Sequence, residues 1–274
     1  MLFHEPEAFL AEVEDIARLG ADRLMKFWRS LEPGQINEKA RNDLVSAADL
    51  ASEQAILGAV QERFPDHRIL SEEAGWSGDA GTGPTWFVDP LDGTTNFIHG
   101  IPQFAISIGV AVGAEIEYGV IFDPCKDDIF SAARGRGARW NGRPCNVSDR
   151  KGLPGALLAT GFPFKAHRLL DPYLAIFRDV FLRCKAIRRP GAAALDLAYT
   201  ACGIFDGFFE FQLSAWDIAA GALIVEEAGG VISDMDGQGN YLDSGNVVCG
   251  SPGVHRELLE VVQSHGDEWR EKTG

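Results

Sequence analysis

The sequence predicts a layered fold of mixed α and β structure, with an antiparallel-rich N-terminal half and a mixed α/β C-terminal half. Three observations predict it. Short apolar runs crowd between Phe104 and Ala132 at a spacing that favours antiparallel hairpins. From Leu157 onward, strand-like and helix-like stretches alternate, as in layered α/β proteins. The 274 residues, 46% hydrophobic and 24% charged, suffice for one large domain or two small ones. A soft boundary at Asn141-Gly142 divides the chain into residues 1–140 and 141–274.

Taken in order, residues 7–30 place Leu10, Val13, Ile16, Ala17, Leu24, Phe27 and Trp28 on one helix face. A second helix over 49–64 is stopped by Pro65. Strand-like runs follow at Arg68–Leu70, Trp86–Val88, Phe104–Val112, Ile116–Phe122 and Ile129–Ala132, punctuated by Gly and Pro. In the second half, Leu157–Ala159 reads as a strand, and Leu169–Arg183 and Ala192–Cys202 as helices. Phe208–Phe211 is a strand, and Trp216–Ala228 is a helix ended by Gly229-Gly230. Val231-Ile232 and Val247-Val248 are strands, and a helix over His255–Lys272 closes the chain.

Composition excludes several classes. No apolar run approaches the roughly 18–20 residues of a membrane helix. The N-terminal residues lack the pattern of a secretory leader, so a cytoplasmic location is expected. Five scattered cysteines, none in C-x-x-C, read as free thiols of a reducing compartment, and neither they nor the six dispersed histidines suggest a zinc site. The net charge of −15 opposes direct nucleic-acid binding, which relies on Lys and Arg against phosphates.

Four segments deliver acids beside a strand end or a helix start: Asp43/Asp49, Glu72-Glu73, Asp89/Asp92 and Asp217. Singly, most have a plain explanation. Asp49 and Asp217 suit the first turn of a helix, and Glu72-Glu73 suits a solvated turn. Asp89 and Asp92 are harder to explain so. Asp89 follows Trp86-Phe87-Val88, and no Lys or Arg lies between Arg68 and Lys126 to pair with it. Two carboxylates about 4 Å apart repel by roughly 4 kcal/mol at an effective dielectric near 20. Clustering them therefore calls for a cation, and carboxylates with a backbone carbonyl such as that of Leu91 suit Mg²⁺. Gly93-Thr94-Thr95 follows at once. Glycine there permits a tight turn and close approach, and a helix start would offer free N–H groups to an anion.

At these residues the sequence resembles the inositol monophosphatase family. Trp86 to Phe97 is similar to its first motif. Trp216-Asp217-Ile218-Ala219-Ala220-Gly221, running to Glu227-Ala228-Gly229-Gly230, is similar to its second. Glu72-Glu73 and Asp43-Leu44-Val45-Ser46 leading to Asp49 match two further stations. Thr160 to Lys165 and Ala193 to Tyr199 look like the bacterial members. Thr94-Thr95-Asn96-Phe97 favours inositol monophosphatase over nucleotide phosphatase relatives.

The resemblance implies an αβαβα sandwich of the sugar-phosphatase type, a homodimer, and Mg²⁺-dependent, Li⁺-sensitive hydrolysis of a small phosphorylated polyol. Myo-inositol 1-phosphate leads, and the water is metal-activated, with no covalent intermediate. It implies two to three Mg²⁺. Glu72, Asp89 and the Leu91 carbonyl would hold the first, and Asp89, Asp92 and Asp217 the second. A weaker third would sit near Glu72. Asp49, Glu72 and Thr94 would act in catalysis, with Thr94 and Asp49 orienting the water. Gly93, Thr94 and Thr95 would hold the phosphate, and Asp92, Gly191, Ala193 and Glu210 would meet the rest of the substrate. Two positions depart from the family pattern: Ala192 stands where Ser or Thr is usual, and Glu38, with Lys39 beside it, where a basic residue is usual. The same chemistry on fructose 1,6-bisphosphate, histidinol phosphate or 3′-phosphoadenosine 5′-phosphate remains open. So does a regulatory binding protein on this scaffold, although Asp49, Glu72, Asp89, Asp92 and Asp217 are all acidic.

Overall fold

The structure, a computed structural model, describes residues 5–40, 43–78 and 83–273. The side chains of Lys39 and Asp43 lie outside the described residues. The first helix, α1 (Pro6–Leu24), buries Phe9, Leu10, Val13, Ile16, Ala17 and Leu24 as the periodicity requires. It stops before residue 30, tightening into a 3₁₀ turn at Met25–Phe27, and Arg29 at φ +59° then reverses the chain. A hairpin not anticipated from the sequence, β1 (Ile36–Ala40) with β2 (Asp43–Ser46), leads into α2 (Ala47–Arg63).

Eight strands form the large sheet: β3 (Arg68–Ser71), β4 (Gly75–Ser77), β5 (Thr85–Asp92), β6 (Ala105–Val112), β7 (Glu115–Asp123), β8 (Asp128–Ala133), β9 (Ala138–Trp140) and β10 (Arg143–Pro144). Their order is β10-β9-β8-β7-β6-β5-β3-β4. Every neighbouring pair is antiparallel except β3 and β5. The short helix α3 (Thr94–Ile98) follows β5 directly. The small sheet is mixed. It contains β11 (Leu157–Thr160), β12 (Ala186–Arg188), β13 (Gly207–Glu210), β14 (Val231–Ser233) and β15 (Val247–Gly250), in the order β12-β11-β13-β15-β14. Between these strands run α4 (Leu170–Phe181), α5 (Ala193–Ala201), α6 (Ala215–Glu227) and the one-turn α7 (Tyr241–Ser244). The expected closing helix is two, α8 (Pro252–Ser264) and α9 (Gly266–Thr273), because the chain leaves helical geometry at His265 just before Gly266.

The layers run α1 and α2, large sheet, α5 and α6, small sheet, then α4, α8 and α9: an αβαβα sandwich. Each interior is apolar. Phe9, Ile56, Trp86 and Val120 fill the outer layer beneath α1 and α2. Leu195, Leu197, Phe208, Ile218 and Leu223 fill the middle, and Tyr173, Phe209, Val254 and Leu258 the far side. Helix α6 lies unusually close to the large sheet. Gly109 and Gly119 pair across β6 and β7, and a Cβ on them would stand 2.7 Å from Ala219 Cβ and 2.6 Å from the Ala220 carbonyl oxygen. The Ala-Ala-Gly run of α6 and these two glycines are therefore one packing device, which fixes where the helix begins. Among the described residues no helix is long and apolar enough to cross a membrane.

Candidate active site

Strand β5 extends beyond Val88, where the apolar run ends, through Pro90 to Asp92. Against β6, Asp89 pairs with Ser107 and Asp92 with Ala105, so three steps on β5 match two on β6. This is a bulge. In a regular strand, residues three apart face opposite ways. The extra residue lets both aspartates line the same cleft. Leu91 N–H donates to Asp89 Oδ1 at 2.9 Å, and Ser52 Oγ holds the Pro90 carbonyl at 2.9 Å, which fixes the bulge from below.

Gly93 at φ +93° then turns the chain into α3. A Cβ there would meet Gln103 O at 3.0 Å, Phe104 Cβ at 3.2 Å and Gly191 O at 3.3 Å, so both conformation and space demand glycine. Thr94 Oγ1 lies 3.0 Å from Asp49 Oδ1 and 3.1 Å from the Leu91 carbonyl oxygen, so its single proton serves one acceptor at a time.

The remaining acids arrive from three directions. Asp49 is the third residue of α2. Its Oδ2 accepts from the Ser46 N–H at 2.8 Å and the Ser46 hydroxyl at 2.6 Å, closing a capping box, while Oδ1 faces Thr94. Asp217 repeats the arrangement at α6, where its Oδ2 accepts from the Ser214 N–H at 2.7 Å. Both residues are therefore helix-capping acids, with Asp217 on the cleft wall and Asp49 bonded to Thr94 behind it. Glu72 sits in the turn after β3, its N–H donating to the Val88 carbonyl at 3.1 Å.

The cleft these residues share has a volume of about 520 Å³. Its lining includes Glu72, Asp89, Leu91, Asp92, Gly93, Thr94, Thr95, Gly191, Ala193, Glu210 and Asp217. Asp49 stands behind Thr94, fully buried. Ala192, buried and without a hydroxyl, also faces the cleft. Glu38 reaches its rim.

Electrostatics mark the site as a concentration of negative charge. Burial, then the charges of Glu72, Asp217 and Asp92, pushes the Asp89 carboxyl well above its ordinary range. Burial and Asp217 push Asp92 up to about 7, against the opposing backbone N–H groups of Ala194 and Ala193. Glu210 rises to about 8, chiefly through burial, although Arg189 opposes the shift. Burial also raises Asp49, despite its bonds from Ser46 and Thr94. A buried acid cluster of this kind is costly unless a cation neutralises it.

The donor set fits a hard divalent cation: carboxylates and one backbone carbonyl, with no thiolate or imidazole among the lining residues. Among the described residues no three His, Cys, Asp or Glu side chains form a closed metal cage. Asp49, Asp89, Asp92 and Asp217 each accept a hydrogen bond from an internal donor. An open arrangement suits Mg²⁺, which is bound through a few carboxylates together with water and substrate phosphate oxygens.

Sequence reasoning missed several supporting residues. Glu53 on α2 accepts from Ser71 Oγ and from the N–H groups of Glu73 (3.1 Å) and Ala74 (3.0 Å), shaping the turn that carries Glu72. Asn96 Nδ2 lies within reach of the carbonyls of Gln103 (2.7 Å), Pro190 (3.0 Å) and Gly191 (3.2 Å), joining α3 to the opposite wall. Asp196, 1% exposed, lines the cleft with its Oδ1 unpartnered and its carboxyl raised by burial and by Glu210. Its position one turn into a helix led by Ala192 was the only available signal. Arg189 brings a cation to the wall opposite the aspartates, its guanidinium 5.0 Å from the exposed Phe164 ring.

Comparison with known proteins agrees with this geometry. The chain matches the model of the inositol monophosphatase family over residues 6–267. It is 46% identical over 253 residues to the Nus factor SuhB of Pseudomonas aeruginosa, covering 91% of this chain and 93% of that one. The extragenic suppressor protein suhB of Bartonella henselae superposes with a TM-score of 0.90 at 37% identity, covering 93% and 98% of the two chains. The inositol monophosphatase of Anabaena (Nostoc) sp. PCC 7120 superposes with a TM-score of 0.84 at 35% identity, covering 94% and 96%. Fold and site define a metal-dependent phosphatase. The chain belongs to the inositol monophosphatase family.

Proposed function

We propose that the protein hydrolyses phosphate monoesters of small polyols with Mg²⁺, myo-inositol 1-phosphate foremost. One observation carries the reading: two buried aspartates with raised carboxyls flank a bulge whose next residue, Gly93, opens a short helix toward the same cleft. Glu72, Asp89 and the Leu91 carbonyl would hold one ion, Asp89, Asp92 and Asp217 a second, and the Glu72 turn a weaker third. Bound Mg²⁺ neutralises phosphate charge and acidifies water, which such hydrolyses require. Thr94 Oγ1 orients the attacking water, and burial readies Asp49 Oδ1 to hold a proton passed through it. The first-turn N–H groups at Thr94 and Thr95, with Gly93, cradle the phosphate. Asp92, Gly191, Ala193 and Glu210 read the hydroxyls, and Ala192 acts through its backbone alone. The halves 1–140 and 141–274 divide this labour, the first holding most metal ligands and the second closing the substrate site.

Parallel kcat/KM measurements on inositol 1-phosphate, fructose 1,6-bisphosphate, histidinol phosphate and 3′-phosphoadenosine 5′-phosphate test the substrate. Inositol 1-phosphate as the poorest of the four overturns the assignment. Li⁺ inhibition of the Mg²⁺-activated reaction is expected alongside.

The protein works as a homodimer in this reading. Leu170, Leu174 and Phe181, each more than 40% exposed, fall on one stripe of α4 that a second copy would cover. Sedimentation at micromolar concentration checks it, and a monomer refutes it.

A second reading, a Nus factor role alongside catalysis, rests on the 46% identity to the Nus factor SuhB of Pseudomonas aeruginosa. With a net charge of −15, it would act through protein contacts. Complementation of a Pseudomonas aeruginosa strain lacking SuhB, by wild type and by Asp92→Asn, separates the two readings.

A further inference from the structure

Cys145 and Cys202 are 57 residues apart in sequence, yet their sulfur atoms stand 2.8 Å apart as free thiols. Cys145 follows β10 at the edge of the large sheet, and its N–H donates to the Ala138 carbonyl at 3.0 Å. Cys202 ends α5, and its N–H donates to the Ala198 carbonyl at 3.1 Å. The segments around them are already packed together. The Val147 N–H donates to the Ala228 carbonyl at 3.1 Å, and Ser148 Oγ donates to Asp206 Oδ1 at 2.5 Å. A disulfide bond is about 2.05 Å long, so the sulfurs are within roughly 0.8 Å of bonding distance. Both side chains are partly exposed.

We propose that Cys145 and Cys202 form an oxidative cross-linking site that reacts with peroxide to give an intramolecular disulfide. The thiols differ in the way the chemistry needs. The Cys202 thiol donates toward Cys145, which lowers Cys145 and, with burial, raises Cys202. Cys145 is therefore the thiolate that attacks hydrogen peroxide. The O–O bond breaks, Cys145 becomes a sulfenic acid, and the displaced hydroxide takes up a proton to leave as water. The Cys202 sulfur then attacks the sulfenic sulfur, the S–O bond breaks, and the second oxygen leaves as water with the Cys202 proton. In sum, two thiols and one peroxide give one disulfide and two waters. The bond clamps the edge of the large sheet to the helix whose first turn grips Asp92, without touching the cleft.

The test treats the native full-length protein with a few equivalents of hydrogen peroxide, quenches, and counts thiols after denaturation. The expected titre falls from five to three. Non-reducing peptide mapping then shows one Cys145–Cys202 link, which dithiothreitol reverses. Cys202→Ser is expected to yield no intramolecular link and to stop Cys145 at the sulfenic acid, trapped by dimedone. A titre that stays at five overturns the proposal. So does a disulfide mapped to Cys125, Cys184 or Cys249, or one formed only when peroxide is added to the denatured chain.

Discussion

Asp92 and Ala194 are 102 residues apart in the chain and joined by a 2.7 Å hydrogen bond, the Ala194 N–H donating to Asp92 Oδ2. The bond ties the β5 bulge to the first turn of α5, so a carboxylate of one half is aimed by a helix of the other. It also sets the first test. Asp92→Asn keeps an oxygen for Ala194 and removes the charge. Thermal melting is expected to change little. Turnover is expected to fall by more than the roughly 10–100-fold typical of losing an outer-shell partner. Wild-type kcat/KM in this variant refutes the two-ion site.

The raised carboxyls predict a pH dependence. Unfolded, Asp and Glu titrate near 4. Folded, Asp92 does so at about 7 and Glu210 at about 8. Between these limits the folded chain binds more protons than the unfolded one, so metal-free stability falls as pH rises. Burial lowers His67 and His255, which act in the opposite sense, but only up to about 6.5. Melting in EDTA should therefore drop between about pH 6.5 and 8.5. The gain from Mg²⁺ should be larger at the upper end, because cation binding displaces protons. Metal-free melting temperatures that climb across this window contradict the acid cluster.

Glu53 should act on the metal at one remove. Glu53→Gln retains an acceptor for Ser71 and the turn but loses the charge that gathers three donors. Mg²⁺ affinity, read from activation curves, should weaken by about 10–100-fold at nearly unchanged melting. Glu53→Ala should also destabilise by about 1–3 kcal/mol, since the turn's N–H groups lose their partner. Unchanged Mg²⁺ activation in Glu53→Gln would show that the turn holds Glu72 unaided.

Gly119→Ala tests the seat of α6. The new methyl would stand 2.6 Å from the Ala220 carbonyl oxygen, so the helix must retreat. Overpacking of this kind costs about 1–3 kcal/mol. Because Asp217 begins the same helix, activity should fall together with stability in denaturant titration and steady-state assays. Loss of stability with full activity would mean that the helix start is fixed independently.

The mixed α and β layering was legible because the long elements carry clear periods, whereas the αβαβα order came from the family resemblance. Helix α1 and the hairpins of β6 to β8 lie close to where their apolar patterns put them. The strands β4, β9, β10 and β12, two or three residues each, are too short for a period to register. The site acids were legible in kind, because Asp89 and Asp92 follow an apolar run with no cation nearby. Their convergence was implied by the family resemblance, but the geometry that achieves it was not legible. It depends on a bulge that adds one residue against β6, which nothing in Asp89-Pro90-Leu91-Asp92 alone announces. Glu53, Asn96 and Asp196 escaped notice because their roles exist only across long sequence separations.

Asp49 and Asp217 each sit in the first turn of a helix, Asp217 lining the cleft and Asp49 standing just behind Thr94. This constrains how a descendant could lose the chemistry. Removing a helix-capping side chain costs about 1 kcal/mol. Removing Asp89 relieves a buried charge instead, so its loss is the easier step. A lineage kept only for its surface would shed the β5 acids early and retain Asp49 and Asp217 long after hydrolysis ceased. Those two residues are thus poor witnesses of an active enzyme, and an aspartate at the bulge is the better one.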